Sequence, residues 1–236
     1  MHLHVHHHRR QKNVRLALAC IVLSCGAGAA PSPARAQTSA NLTLVSAYTA
    51  RGITFDPRPT PQLRVEHDAA DGWYAGGFAS RVKLASGDQG QLSVYGGRAR
   101  RITSTLTLDA GISHTSYTRD SRFRYTEAYA GLMAGQASAR VFYSPDYYGM
   151  GRTVYVDLNT SYPLTERWSL ALHGGVLHPF GAYEGEAAHD ARDVRIGLAA
   201  DLGDYRLQVG WQTTWHPYLD ILPRARAWTA SASVYF

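Results

Sequence analysis

Residues 228–236 read Trp-Thr-Ala-Ser-Ala-Ser-Val-Tyr-Phe, and this C-terminal stretch is the most informative about the fold. In an extended strand its tryptophan, alanines, valine and final phenylalanine share one face, because successive side chains point to opposite faces. The hydroxylated residues share the other face, which suits the closing strand of a membrane barrel with lipid outside and water inside. We expect Phe236 to act as the assembly signal of such a barrel. A half-buried strand of a soluble sandwich would fit these residues nearly as well.

The N-terminus has the layout of a secretory signal peptide. Arg9, Arg10, Lys12 and Arg15 precede an apolar core at 16–30, and Ala-Arg-Ala at 34–36 suits a cleavage site. We predict a cleaved signal peptide over 1–36 and export through the Sec pathway. The mature chain, 37–236, is predicted to form a single outer-membrane β-barrel domain.

Removing residues 1–36 changes the charge balance. That segment holds five of the 24 basic residues and no acidic residue, which leaves 19 basic against 18 acidic residues. The formal charge of +6 therefore gives no reason to expect a nucleic-acid partner. Both cysteines, Cys20 and Cys25, lie in the same segment, so disulfides and thiolate chemistry are excluded from the mature chain. No cofactor is expected.

Apolar and polar residues alternate with period two along most of the mature chain, for example over 105–113, 192–202 and 205–212. This period predicts β-strands, and most segments approach the ~9–11 residues that a tilted strand needs to cross a bilayer. The predicted strands lie near 40–53, 60–68, 73–83, 91–101, 105–115, 125–134, 138–146, 153–163, 168–178, 192–202, 205–216 and 226–236.

The predicted links alternate in length, with tight turns at 69–72, 135–137 and 203–204 and longer links at 54–59, 116–124, 179–191 and 217–225. Outer-membrane barrels have this asymmetry between short periplasmic turns and longer external loops. We therefore predict an all-β fold, a transmembrane antiparallel up-and-down β-barrel of about 12 strands with both termini periplasmic. Its partners would be outer-membrane lipid, lipopolysaccharide and the barrel assembly machinery of a Gram-negative bacterium.

Several glycine and aromatic strings are similar to those of the TorF family of porins. They are Tyr-Thr-Ala-Arg-Gly-Ile at 48–53, Gly-Trp-Tyr-Ala-Gly-Gly-Phe-Ala-Ser at 72–80, Tyr-Gly-Gly at 95–97, Tyr-Thr-Glu-Ala-Tyr-Ala-Gly at 125–131, Tyr-Ser-Pro-Asp-Tyr-Tyr-Gly at 143–149 and His-Gly-Gly at 173–175. The resemblance implies an outer-membrane barrel of porin type, without an established substrate or catalytic residue. Gln91 and Ser93 stand where the resemblance implies acidic residues, which puts any shared solute in question.

Charged residues of both signs fall on the predicted inner face. A hydrated channel for passive diffusion of small hydrophilic solutes would have such a lining, and a barrel plugged by internal salt bridges would also have it. A count of seven cations to four anions predicts a slight basic excess and a mild anion preference. The predicted pore-lining residues are Arg51, Arg64, Glu66, Arg81, Lys83, Asp109, Glu127, Arg140, Asp157, Arg195 and Arg206.

The alternatives are a membrane-embedded lipid- or peptide-hydrolysing enzyme and a plugged structural barrel without transport. A hydrolase needs a nucleophile, a base and an orienting group within hydrogen-bond reach. The candidate bases are His114, near Ser113 and Ser116, and His173, near Ser169. The spacing does not form a convincing triad, so no catalytic residue is predicted.

Two further features are left open by the sequence. Arg98 and Arg100 share the face of lipid-facing residues, which a bulge at Gly96-Gly97 or a position at the barrel rim would explain. Glu184, Glu186, His189, Asp190 and Asp193 crowd one link, and solvated charge is favoured there over a cation site because no defined ligand spacing is present. We accordingly predict no metal site.

Overall fold

The computed structural model describes residues 36–181, 189–216 and 227–236. They form a closed antiparallel barrel of 12 strands and a separate two-stranded hairpin. The strands are β1 Gln37–Val45, β2 Tyr48–Ala50, β3 Ile53–Asp56, β4 Thr60–Asp68, β5 Trp73–Leu84, β6 Gly87–Arg101, β7 Leu106–Tyr117, β8 Tyr125–Ala134, β9 Ala137–Ser144, β10 Thr153–Pro163, β11 Trp168–Pro179, β12 Ala191–Leu202, β13 Tyr205–Trp215 and β14 Ala227–Tyr235. Within the described ranges, no helix is long and apolar enough to cross a membrane.

The barrel strands follow chain order from β4 to β14, and β1 closes the ring between β14 and β4. The seam pairs Asn41 with Tyr235 and continues to Val45 opposite Ser231. Beyond the strand, the Phe236 amide donates a 2.9 Å hydrogen bond to the Ala40 carbonyl. The prediction that the C-terminal stretch is the closing strand of an antiparallel barrel is therefore confirmed.

Side-chain alternation makes the outside of the wall apolar and its inside polar. Large aliphatic side chains on the outer face are roughly half exposed although they belong to a regular sheet. Polar side chains of the inner face are buried instead, among them Glu66, Asp109, Glu127 and Asp157. The outer aliphatic residues include Leu42, Leu44, Leu63, Val65, Leu92, Val94, Ile112, Leu158, Ile196, Leu198, Leu207 and Val209.

The predicted strand over 40–53 was wrong beyond Val45. Strands β1 and β4 pair directly from Gln37 opposite Asp68 to Val45 opposite Thr60, so residues 46–59 leave the wall. Within this segment β2 and β3 pair with each other and form what we call the inward hairpin, residues 46–59. The link predicted at 54–59 is thus part of a structured element.

The two ends of the barrel differ as the sequence predicted, with one exception. Short turns at 69–72, 135–136 and 203–204 lie at the end where β1 begins and β14 finishes, which we call the short-turn end. The opposite, long-loop end carries the inward hairpin and the links at 118–124 and 145–152. The exception is β5–β6, which only Ala85 and Ser86 connect because β6 begins at Gly87. The predicted signal peptide up to residue 35 and most of two predicted links, at 182–188 and 217–226, lie outside the described residues.

Tyrosines folded over glycines of a neighbouring strand build much of the inner wall. Tyr74 lies directly opposite Gly97 on β6, and a Cβ atom at Gly97 would fall 2.5 Å from its hydroxyl. Tyr95 is placed over Gly76 in the same way, and Tyr129 over Gly111. The absent side chain leaves room for the ring, which gives the Gly/aromatic strings of the sequence a packing role.

Candidate functional site

A chamber of about 840 Å³ occupies the barrel interior. At the short-turn end it is lined by Gln37, Asp204 and Phe236, and it continues inward to the hairpin residues 47–51 and Phe55. Hydroxyl, amide and charged side chains line the wall between these limits. The inward hairpin is therefore the inner boundary of a polar chamber that reaches the short-turn end.

The tip of the inward hairpin docks on strand β13 of the barrel wall. Thr49 Oγ1 donates a 2.8 Å hydrogen bond to Gln212 Oε1, and Thr214 Oγ1 donates one of 2.8 Å to the Gly52 carbonyl. The hairpin leaves the wall between β1 and β4, whereas both partners lie on β13. Strand β13 is only two strands from β1 in the ring, so these contacts fold the hairpin inward and keep it from projecting away from the barrel.

Arg51 at the hairpin tip makes a close charged contact in the lumen. Its Nη1 lies 2.6 Å from Glu127 Oε1 and its Nη2 lies 2.9 Å from Oε2, a bidentate pair with both side chains buried. The rings of Tyr155, Phe142 and Tyr147 surround the same guanidinium, with Cζ to centroid distances of 4.5, 4.9 and 5.4 Å. Arg51 is a predicted lining residue, but its position on a hairpin tip was not foreseen.

An aromatic cluster fills the long-loop end behind the hairpin tip. Tyr147 and Tyr148, on the link 145–152, are only 1% and 3% exposed. The Tyr148 ring stacks on Phe55 of the hairpin at 6.4 Å and lies 4.8 Å from Tyr125 of the wall. Two segments of the long-loop end thus fold into the lumen and pack against each other.

Ion pairs hold the base of the inward hairpin. Arg58 Nε and Arg81 Nε each lie 2.9 Å from a different oxygen of the fully buried Asp56 carboxylate. Burial acts to raise the pKa of Asp56, but the hydrogen bonds from Arg58 and Arg81 outweigh it and lower the pKa to about 2. Arg58 also pairs with Asp88 at 2.7 Å, which ties the hairpin to β6. Both ends of the hairpin are therefore anchored.

Most of the other predicted lining residues face the interior and make internal contacts. Arg140 lies 2.6 Å from Asp109. Arg206 lies 2.7 Å from Asp201, its direct partner across β12 and β13. A second chain of contacts runs from Arg64 to the Tyr95 hydroxyl at 3.2 Å and from that hydroxyl to Glu66 at 2.7 Å. Asp157 and Arg195 line the chamber.

The prediction that Arg81 and Lys83 line the pore was wrong, because both residues occupy outward positions of β5. Their strand partners are Gly90 and Asp88, while the alternate residues Ser80 and Val82 are buried inside. The paired β4–β5 ladder ends at Gln62 opposite Ser80, and beyond it Arg81 on the outer face reaches Asp56 of the hairpin.

Two inward acids, Asp193 and Asp201, were absent from the predicted lining. Asp193 was predicted to belong to the crowded link. Strand β12 includes both, on the same face as Arg195. With these acids added, and with Arg81 and Lys83 removed, the inner-face charges no longer have the basic excess that the sequence predicted.

His173 lies between two carboxylates on the inner wall. Its Nδ1 is 3.1 Å from Asp157 and its Nε2 is 2.7 Å from Asp193, while the Tyr155 hydroxyl donates to Asp193 at 3.2 Å. Ser169 lies four residues away on the same face. Within the described residues, His173 contacts acids, an amide and a phenol, and no nucleophile is activated in these contacts.

The other candidate base, His114, faces outward and contacts Thr126 at 2.8 Å. Ser113 occupies the opposite face of the same strand, and the Ser116 hydroxyl is 3.4 Å from the Leu92 carbonyl. Across the three described ranges, no group of three or more His, Cys, Asp or Glu side chains has an arrangement that could hold a metal ion. Of the crowded link, Asp190 contacts His178 at 2.8 Å, and residues 184 and 186 lie outside the described ranges.

The position of Arg98 resolves one open feature of the sequence. The register of β6 with β5 and β7 runs unbroken through Gly96 and Gly97, so the alternative of a bulge was wrong. Arg98 lies opposite Trp73 at the short-turn end, with its guanidinium 5.4 Å from that ring. Charge on the outer face is thus confined to the rim at this strand.

Ser93, where the resemblance implies an acid, contacts Thr115 by a 2.8 Å hydrogen bond.

A family model described as a bacterial protein of unknown function, Gcw_chp, matches residues 28–232. The chain belongs to the Gcw_chp family. No functionally curated protein matches this Gcw_chp member.

Among solved structures, the Gcw_chp barrel is similar to a NanC porin, with a TM-score of 0.58 and 10% identity over 85% of this chain and 99% of that one. It is similar to a KdgM porin at 0.54 and 11% identity over 84% and 98% of the two chains. A KdgM porin in complex with disordered oligogalacturonate gives 0.50 and 12% identity over 84% and 96%. These likenesses support the 12-strand barrel fold.

Proposed function

We propose that the protein is a porin-like channel of the bacterial outer membrane that lets small hydrophilic solutes diffuse through a restricted lumen. The mature chain would begin at Gln37 after Sec export and removal of 1–36. The short-turn end, with both termini, would face the periplasm, as in other outer-membrane barrels. We also propose that the chain is a porin of the TorF type.

One observation carries the proposal, which is the combination of an apolar outer wall with a polar internal chamber of about 840 Å³. An apolar outer face that is half exposed is suited to contact with lipid. Because the ring of strands is closed, no unpaired strand edge is exposed to that lipid. A charged and hydroxylated interior suits water and polar solutes. The likeness to porin structures supports the same interpretation.

The inward hairpin determines how restricted the lumen is. It is anchored on β13 near its origin, reaches Glu127 of β8 through Arg51, and packs against the aromatic cluster at the long-loop end. We therefore expect a small conductance from the wild-type protein. The charges on the inner face are close to balanced, so we expect weak ion selectivity in place of the anion preference that the sequence count suggested.

A hairpin-free variant tests this proposal. Because Val45 and Thr60 pair directly, residues 46–59 can be replaced by a short Gly/Ser turn without breaking the β1–β4 ladder. Single-channel recording in planar bilayers should give a small conductance for the refolded wild type and a clearly larger one for the variant. Absence of conductance in both, with both proteins folded, would contradict the channel.

The second candidate is a structural barrel without transport, and the buried aromatic cluster behind the hairpin favours it. On that alternative the wild type would not conduct and only the hairpin-free variant would. The recording above therefore separates the two candidates. A hydrolase is not proposed, because His114 and His173 each lack an activated nucleophile among their described contacts.

A further inference from the structure

The surroundings of the Arg51 guanidinium have the composition of a binding site for a cation. One carboxylate, that of Glu127, accepts two hydrogen bonds from the edge of the guanidinium, at 2.6 and 2.9 Å. Three aromatic rings lie within 4.5–5.4 Å of Cζ, inside the ~6 Å range over which a cation is attracted to a ring face. We call Glu127, Phe142, Tyr147 and Tyr155 the cage.

The cage and its occupant belong to different parts of the molecule. Glu127, Phe142 and Tyr155 project from β8, β9 and β10, three consecutive strands of the wall, whereas Arg51 comes from the inward hairpin. Phe142 also packs on Tyr129 at 5.5 Å and on Tyr155 at 6.3 Å. Groups on packed strands are held in place by their neighbours, so the wall part of the cage keeps its shape without Arg51.

An empty cage would leave an ionised carboxylate with almost no access to solvent. The Glu127 side chain is 5% exposed, and Arg51 is its ion-pair partner. A buried charge that loses its partner is strongly destabilising, so the cage favours a replacement cation. A flat guanidinium matches the two carboxylate oxygens and stacks on rings, which a compact ammonium group does less well.

We propose that the cage is a binding site for guanidinium-bearing solutes, and that Arg51 occupies it as a tethered competitor. The chamber reaches Arg51, Glu127, Phe142 and Tyr155, so a solute entering from the short-turn end meets the cage directly. A tethered competitor acts at an effective concentration in the millimolar range for a short link, which weakens binding of a free solute. The position of the cage on a permeation path rests on the proposed function, whereas the binding itself does not.

Calorimetric titration with methylguanidinium chloride tests the site, using refolded full-length mature protein in detergent. Arg51→Ala should bind the probe about tenfold more tightly than the wild type, because the competitor is gone. The double variant Arg51→Ala/Glu127→Gln should lose that gain. Arg206→Ala is the matched control, since it removes a lumenal arginine that pairs with Asp201, and it should bind no better than the wild type.

Equal affinity in the wild type and Arg51→Ala would overturn the proposal, and so would equal affinity in the single and double variants. If Arg51→Ala refolds poorly, its refolding yield is measured by heat-modifiable gel mobility with the probe or with potassium chloride at the same ionic strength. Rescue by the probe alone, absent from the double variant, supports the site, and absence of rescue overturns it. Conductance of the same samples is measured separately. Binding without conductance would contradict the proposed channel and leave the proposed binding site standing.

Discussion

Gly52 of the inward hairpin and Thr214 of β13 meet inside the barrel although 162 positions separate them in the chain. The Thr214 hydroxyl donates to the Gly52 carbonyl at 2.8 Å, and a Cβ atom at Gly52 would lie 2.5 Å from that same hydroxyl oxygen. Gly52 also has a φ of +74°, in the left-handed region that favours glycine. The contact requires glycine both for its backbone conformation and for its lack of a side chain.

Substituting Gly52→Ala should therefore undock the hairpin tip. The added methyl group clashes with Thr214, and the positive φ adds strain of about 1 kcal/mol or more. We expect a larger single-channel conductance with the barrel still folded. Gly203→Ala is the matched control, because Gly203 has a φ of +76° and a Cβ atom added there would meet no heavy atom within 4 Å. Equal conductance in the two variants would mean that the tip contact does not restrict the lumen.

Gly97→Ala should destabilise the wall by displacing the ring of Tyr74. The new Cβ atom would lie 2.5 Å from both the Tyr74 hydroxyl and the Ala110 carbonyl oxygen, and overpacking of this kind costs about 1–3 kcal/mol. Gly77→Ala is the control, since its nearest atom is 3.8 Å away. Urea unfolding in lipid vesicles, followed by tryptophan fluorescence, should show a lower free energy of unfolding for Gly97→Ala only. A similar loss in both variants would count against the tyrosine-over-glycine packing.

Because of Asp56, the stability of the fold should depend on pH. Its pKa is lowered to about 2 in the folded protein, below the ordinary value of about 4, so ionisation of Asp56 stabilises the fold above pH ~4. That contribution is lost as the pH falls from ~4 through ~2, because the carboxylate then becomes protonated in both states.

Asp56→Asn should accordingly lower the thermal midpoint at pH 7, and the difference from the wild type should shrink towards pH 2. Circular dichroism in detergent at several pH values measures it. Asp71→Asn, in the turn at 69–72, is the control and should change little at any pH. A difference for Asp56→Asn that stays constant down to pH 2 would contradict the role of its ionised form.

Phe236 should matter for assembly more than for the finished channel. Its backbone pairs with Ala40 at the seam, while the residue as a whole is 77% exposed and lines the short-turn end of the chamber. Deleting Phe236 should lower the amount of folded barrel recovered from outer membranes, judged by heat-modifiable gel mobility. The molecules that do fold should conduct as the wild type does. Trp228→Ala, which removes another exposed aromatic ring of β14, should leave recovery much less affected.

Strand alternation, the lengths of the segments and the alternation of short and long links were together enough to predict the barrel, because they are local properties of the sequence. The segments at 105–115 and 192–202 correspond closely to β7 and β12, and the stretch 228–236 to the closing strand. The rule is weaker near strand ends. Arg81 and Lys83 lie beyond Ser80, the last residue of β5 that pairs with β4, and there charged residues occupy the outer face at the rim of the barrel.

The sequence by itself therefore determined the all-β class, the number of wall strands, the closing strand and the opposition of apolar and polar faces. Period-two alternation encodes the strands and their faces within a few residues, and the short and long links give their succession. Only the tertiary structure decided that residues 46–59 turn into the lumen and that Arg51 meets Glu127, a partner 76 positions away. The strand pattern does not distinguish a hairpin that continues the wall from one that folds into the barrel. That choice is made by contacts with distant strands, which exist only once the ring has closed.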